Sequence, residues 1–368
     1  MLQNKPRISF YLPSLRGGGA ERITVKLVKS FLSRGYPVDL VLASAQGPYL
    51  GDVPEDCRII DLKASRVIKS LPCLVRYLRR ERPQALVSGL NHTNVIALAS
   101  SILAMVPVRV IAVEHNTFSV DMANPRYCRA RLLPLLMRLL YPKADSIVAV
   151  SRGVADDLVS VFPSVKDKVK VIYNPVIGPE LFELAEAPVE HSWFAEGSPP
   201  VILSVGRLTE QKDYPTLLRA FALVRSVTDC RLVILGEGEE RGMLEGLAEE
   251  LGIAADVWLP GFVENPYRFM KRAAVYVLSS RWEGLPTVLI EAMACGTPLV
   301  STDCPSGPRE ILRDGGSGKL VPVGDVPELA GAIRETLASG GRAFSGQDWK
   351  RFDIDNAAQS YEKLVTGG

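Results

Sequence analysis

The chain has 368 residues, 47% of them hydrophobic and 23% charged, which is too long for one ordinary core and comfortable for two. The net charge of +2 hides an asymmetry: residues 1–178 carry 25 Lys and Arg against 13 Asp and Glu, whereas residues 179–368 carry 18 against 28. No apolar run approaches the roughly 20 residues of a membrane span. The cysteines (Cys57, Cys73, Cys128, Cys230, Cys295 and Cys304) are scattered without a CxxC pair, which suits a reducing compartment and argues against a zinc site. Lys5 and Arg7 lead straight into a strand-like segment, so no signal peptide is expected.

In chain order, the apolar run Ile8–Leu12 predicts a strand, Gly17-Gly18-Gly19 a loop, and Ala20–Ser33 a helix closed by Gly35. Val38–Ala43, Ala85–Val87, Val108–Val113, Ser146–Val150 and Val169–Ile172 continue the strand series. Strands alternating with helical patterns mean βαβ units and a parallel sheet. Residues 178–200 are rich in Pro, Gly and acids, and 179–200 reads as the linker between domains 1–178 and 201–349. A second series follows at Val201–Val205, Arg231–Leu235, Val257–Leu259, Val275–Ser279 and Leu299–Ser301. The expected architecture is α/β, with two Rossmann-like doubly wound domains facing each other. The helical stretch Ile354–Leu364, within 350–368, is expected to pack back on the first domain.

The stretch from Glu283 to Pro298 carries the most chemistry. Pro286 suits the first turn of a helix, and Gly296 and Pro298 end it. The helix opens at the carboxyl end of the preceding strand, where open α/β sheets bind ligands. Backbone N–H groups of Leu285, Thr287 and Val288 would meet a phosphate there. Glu291 lies about 12 Å beyond Glu283 if both are helical. That spacing would let one carboxylate reach a sugar and the other a ribose. Glu283 as a favourable helix-start charge and Glu291 as a surface charge are the plainer alternatives. Gly206 ends another strand, and Arg207 and Lys212 follow it in the loop. Two cations there can hold a diphosphate leaving group without a metal.

In the first domain, the glycine loop at Gly17, Gly18 and Gly19 lets backbone approach a ligand closely. It is not GxGxxG, and Asp39 is too near to serve as the usual ribose acid, which weakens a nicotinamide-dependent reading. His115 follows a strand, with Glu114 and Asn116 as its companions; a lone histidine there is more often a satisfied loop residue. His92, in another loop after a strand, either lines the acceptor side or is a satisfied loop residue.

Glu283-x7-Glu291, the GRLxxQK stretch at Gly206–Lys212, Gly236-Glu-Gly238, Gly261-Phe262 and Cys304-Pro-Ser-Gly-Pro-Arg-Glu310 together resemble glycosyltransferase family 4. The resemblance covers nearly the whole chain and is most specific over 201–320. It implies the GT-B fold, two Rossmann-like domains facing across a cleft, and transfer of a sugar from a nucleotide sugar with retention and no metal or other cofactor. It also implies roles: Glu283 near the donor sugar, Arg207 and Lys212 on the diphosphate, Glu291 on the ribose. Gly261, Phe262 and Val263 would flank the base, and His115 would contact the donor sugar. Gly236 and Gly284, with Leu285 to Val288, complete the implied donor site. Ser14–Arg22, Leu140–Asp145 and Asn265-Pro-Tyr267 are similar to bacterial N-acetylgalactosaminyltransferases that extend undecaprenyl-diphosphate-linked glycans. A uridine donor and a glycan or lipid-linked acceptor follow from the resemblance alone, and no nucleic-acid partner is expected.

Two first-domain stretches are basic and apolar together: Arg66–Arg82, with Glu81 its only acid, and Arg126–Lys143. Each can pack one face on a core, and each can lie on an anionic membrane surface. The expected location is the cytoplasmic face of an inner membrane, held peripherally. A GT-B nucleotide-sugar epimerase and a non-enzymatic two-lobed sugar-binding protein are the competing readings; the second would normally carry an export signal.

Overall fold

The computed structural model describes residues 5–16, 18–123, 132–340 and 348–367. The chain divides into two compact units, Met1–Pro175 with Phe352–Gly368, and Val176–Arg351. The first holds β1 (Ile8–Leu12), β2 (Val38–Leu42), β3 (Arg58–Asp61), β4 (Ala85–Gly89), β5 (Arg109–Glu114), β6 (Ser146–Ala149) and β7 (Val169–Val171). They form one sheet in the order β3-β2-β1-β4-β5-β6-β7. The second holds β8 (Val201–Val205), β9 (Arg231–Leu235), β10 (Val257–Gly261), β11 (Val275–Leu278), β12 (Leu299–Thr302) and β13 (Lys319–Val321), ordered β10-β9-β8-β11-β12-β13. All strand pairings are parallel. Both units are doubly wound and Rossmann-like, as the alternation predicts. Each reverses its strand order beside its first strand, between β1 and β4 and between β8 and β11. Ligands of open α/β sheets bind at that reversal, outside the carboxyl ends of the strands.

The central strands are buried on both faces and read as near-continuous apolar runs, interrupted by buried Ser9, Asp39 and Ser88. β3 and β13 escape that signal. They are short edge strands, exposed or half-buried, so neither carries an apolar run. The first helix, Gly19–Ser33, ends as expected at Gly35, which takes a left-handed φ of 78°. Gly35 N–H bonds Leu32 O and Tyr36 N–H bonds Phe31 O, the paired closure that spares the last carbonyls.

Residues 179–200 differ from the expected linker. Pro179 opens a helix, Pro179–Glu186, which buries Leu181 and Ala185 and packs on the helix Tyr267–Arg272 of the second unit. Asn265 Nδ2 donates to Leu184 O at 2.8 Å and Arg272 Nη1 to Ala185 O at 3.1 Å. His191 stacks on Trp258 with ring centroids 3.9 Å apart. The proline that looks like a chain breaker is a helix starter, and the small apolar stripe behind it has somewhere to dock.

The last helix, Ile354–Thr366, packs on Gly19–Ser33 and buries Ala358, Tyr361 and Val365. Tyr36 Oη donates to Glu362 Oε1 at 2.6 Å, and Arg34 Nη2 to Asp355 Oδ1 at 2.7 Å. Among the described residues no helix is long and apolar enough to cross a membrane.

Candidate active site

In the second unit the strand order places the loop after β8 beside the loop after β11. Lys212 Nζ lies 2.6 Å from Glu283 Oε1, 71 residues away in sequence. Ser280 Oγ donates to the same carboxylate oxygen at 2.7 Å. Both loops are fixed by backbone groups. Arg281 N–H donates to Gln211 O at 2.8 Å, Gln211 Nε2 to Trp282 O at 2.9 Å, and Ser279 Oγ to Lys212 O at 2.7 Å. Thr302 Oγ1, from β12, closes on Ser280 O at 2.6 Å. Glu283 is therefore held in a loop ahead of the helix, not on it. Arg207 is exposed and makes no side-chain ion pair among the described residues. Cys304 lies close by, but burial first and the charge of Glu283 second push its thiol up to about 12, so it stays protonated.

Three glycines stand where β8, β9 and β10 end or have just ended. Gly206 N–H donates to Leu235 O at 2.9 Å and Gly236 N–H to Gly261 O at 2.8 Å. Gly236 has φ 145°, and a Cβ there would collide with the Gly206 carbonyl oxygen. At Gly206 a Cβ would stand 3.0 Å from Lys212 Cε, so its smallness lets the lysine stem cross the strand end. The result is a terrace of bare backbone that a flat ligand can approach. Phe262, 77% exposed, and Val263 continue from Gly261.

The helix after Glu283 runs Thr287–Ala294, with Pro286 as its extended N-cap (ψ 97°) instead of a first-turn residue. The Pro286 carbonyl already accepts from Leu289 N–H at 3.1 Å, so the cap position, not the missing N–H, is what its geometry supplies. Thr287 and Val288 hold first-turn N–H groups; Leu285 and Gly284 precede the cap. Gly296 (φ 80°) and Thr297 close the helix on Met293 O and Ala292 O. Glu291 is 2% exposed and accepts a hydrogen bond from Tyr267 Oη at 3.2 Å, so it is no surface charge.

In the first unit Gly17 lies outside the described residues, while Gly18 caps and Gly19 opens the first helix. A Cβ on Gly18 would collide with the Glu21 carboxylate, which thus already supplies an anion at that helix start. His115 follows β5, partly buried. Its Nδ1 is buried and without a hydrogen bond among the described residues, and burial pulls its pKa down to about 4. It borders a small pocket with Leu12, Thr24, Gly89 and Tyr361. A Cβ on Gly89 would stand 3.2 Å from His115 Nε2, so the glycine makes room for the ring. His92 lies in the first turn of the helix Asn91–Ala104, not in a loop.

Ser280 and Tyr267 had no role assigned from sequence. Ser280 orients Glu283, and Tyr267 meets Glu291. Buried Glu114, next to His115, accepts from Tyr141 Oη and from Asn94 Nδ2 at 2.9 Å. Tyr267 and Tyr141 fall within stretches that carry the family resemblance, but their partners are 24 and 27 residues away, so periodicity could not pair them. Among the described residues no group of three or more His, Cys, Asp or Glu side chains is placed to hold a metal ion.

The family models described as Glycosyltransferase Family 4 and Glycosyl transferases group 1 match residues 17–177 and 190–348. A relative from Campylobacter jejuni, N-acetylgalactosamine-N,N'-diacetylbacillosaminyl-diphospho-undecaprenol 4-alpha-N-acetylgalactosaminyltransferase, is 34% identical over 90% of each chain. Sucrose-phosphate synthase from Thermosynechococcus elongatus superposes with a TM-score of 0.80 at 21% identity, covering 99% of this chain and all of that one. HepE of Anabaena, solved in complex with UDP, gives 0.79 at 19% identity over 98% of this chain and all of the other. The fold is the GT-B fold expected from the motifs. With both halves matched and this identity spanning most of its length, the chain belongs to glycosyltransferase family 4.

Proposed function

We propose that this protein is a retaining, metal-independent glycosyltransferase that moves an N-acetylhexosamine from a UDP-sugar to a lipid-diphosphate-linked glycan, working peripherally at the cytoplasmic face of a membrane. The observation that carries the reading is the Lys212–Glu283–Ser280 cluster at the strand reversal of the second unit, beside the glycine terrace. Lys212 and Arg207 stabilise the negative charge that grows on the leaving diphosphate, with the N–H groups of Thr287 and Val288 assisting. Glu291 takes the ribose, the Gly261–Val263 segment the base, and Glu283 the sugar. In the first unit His115, neutral well below physiological pH, serves the sugar as a hydrogen-bonding group. The acceptor oxygen bonds to the anomeric carbon as its bond to the phosphate oxygen breaks. UDP leaves, and the acceptor proton passes to the leaving phosphate on the same face.

Support for a lipid-linked acceptor is the Campylobacter relative, which is named for an undecaprenol-linked substrate, together with the basic first half of the chain. Support for a uridine donor is the UDP bound to HepE. The test is calorimetric titration with UDP in a chelating buffer, wild type against Glu291→Ala. Binding by the wild type and its loss in the variant is expected. Binding that appears only when a divalent cation is added back overturns the metal-independent reading, and unchanged affinity in the variant removes Glu291 from the ribose.

A further inference from the structure

The helix Leu133–Leu140 carries two apolar stripes side by side, with Pro134 and Arg138 on its remaining side. Leu133, Met137 and Leu140 turn into the first unit's core. Leu132, its cap, and Leu135, Leu136 and Leu139 stand at i, i+3, i+4 and i+7, which is one continuous stripe. That stripe faces outward: Leu132 is 69% exposed and Leu139 61%, with Leu135 and Leu136 also exposed. A folded domain seldom spends four leucines on solvent in a single row. The neighbouring helix Asn91–Ala104 packs against this one and adds Ile102 and Leu103 near its carboxyl end, with Met105 just beyond at 83% exposed.

Exposed cations stand on and beside these helices, while Asp145, just past Lys143, accepts from Val110 N–H at 2.8 Å. Arg138 lies on the same helix and Lys143 just past its end, both exposed. The helix Leu71–Glu81, on the far side of Asn91–Ala104, adds exposed Arg76 and Arg80, with Arg82 at its end. The one acid on it, Glu81, is taken by Arg58 and Arg80. An exposed apolar row with a cationic rim complements an anionic bilayer, whose headgroups meet the cations while the acyl region takes the leucines. A helix of eight residues spans about 12 Å, too short to cross and suited to lying flat.

We infer that Leu132, Leu135, Leu136 and Leu139 insert into the anionic leaflet that carries the acceptor, with Leu103 and Met105 beside them. This deepens the proposed membrane-facing role: charge brings the first unit to the surface, and this helix enters it.

The test is flotation of the full chain with vesicles of phosphatidylglycerol and phosphatidylethanolamine. Wild type is compared with Leu135→Glu plus Leu139→Glu, and separately with Leu103→Glu plus Met105→Glu. All these side chains are exposed, and thermal melting checks that each variant folds. Wild type is expected to float and to stay partly bound in about 1 M salt, where charge acts only over roughly 3 Å. The leucine variant is expected to float about tenfold less or worse. Equal flotation of variant and wild type, or complete release of wild type by salt, overturns insertion and leaves contact by charge alone. Wild type that fails to float and is dimeric, with a monomeric leucine variant, makes the stripe an interface between copies and also overturns it. UDP titration of the same samples separates this failure from failure of the transferase reading, because the variants lie outside the donor site.

Discussion

Lys212 and Glu283 meet at 2.6 Å with both side chains largely withdrawn from water. Such a pair costs desolvation that its own attraction barely repays, so its value lies in what it prepares. An incoming diphosphate gives the ammonium a second anion. Replacing Lys212 by Met is expected to cut turnover by about 10²–10³-fold, the usual loss for one preorganised charge donor. It should also destabilise the fold, because the largely buried Glu283 loses its cation. Adding Glu283→Gln should restore melting temperature without restoring turnover; recovery of both would make the pair structural. His115 supplies a second residue-level expectation. The unfolded chain takes a proton on this side chain near pH 6.5, and the folded chain does so only near pH 4. Acidification between those values therefore favours the unfolded state, and the stability contributed by the neutral ring is fully present only above pH 6.5. Replacing His115 by Gln should flatten the fall in melting temperature across that window and should lower turnover more than donor affinity.

At the scale of elements, the proposed donor platform is made by strand ends more than by side chains. Gly236 is left-handed and abuts the Gly206 carbonyl. Gly236→Ala should therefore cost about 1–3 kcal/mol and reduce UDP affinity, read by thermal melting and calorimetry. Gly246 is the contrasting position. It lies inside the helix Arg241–Glu250 with open space where a Cβ would go. Gly246→Ala should stabilise by about 0.5–1 kcal/mol and leave affinity alone. If both substitutions behave alike, the terrace geometry is not what distinguishes them.

Taken as a whole molecule, the chain places its last helix on its first unit, although 321 residues separate Arg34 from its partner Asp355. Tyr361 is buried against that unit and lines the pocket that His115 borders. Tyr361→Ala should cost about 3 kcal/mol or more by opening that core, while UDP affinity, which the proposed donor site places in the second unit, should stay near wild type. A large fall in UDP affinity would tie the donor site to the last helix more closely than this division allows. The charge asymmetry follows nearly the same division. The basic half carries the outward leucine row, and the acidic half carries the proposed donor platform.

Local pattern was enough to read two parallel α/β units, because buried central strands must be apolar almost throughout and the glycine closures after helices are set by backbone sterics. Glycines at strand ends and the Glu283–Glu291 helix region were legible for the same reason. Pairings were not. Lys212 on Glu283, Tyr267 on Glu291 and Tyr141 on Glu114 join residues that only strand order and helix packing bring together. Edge strands β3 and β13 lacked a burial signal because one flank has no neighbour. The proline-rich stretch at 179–200 looked like a linker because docking depends on a surface elsewhere in the chain. The row from Leu132 to Leu139 marks the boundary most sharply. Its sequence shows only that the helix is apolar, whereas which leucines enter the core and which face outward depends on the helix's rotation against the sheet, and tertiary packing alone sets that rotation.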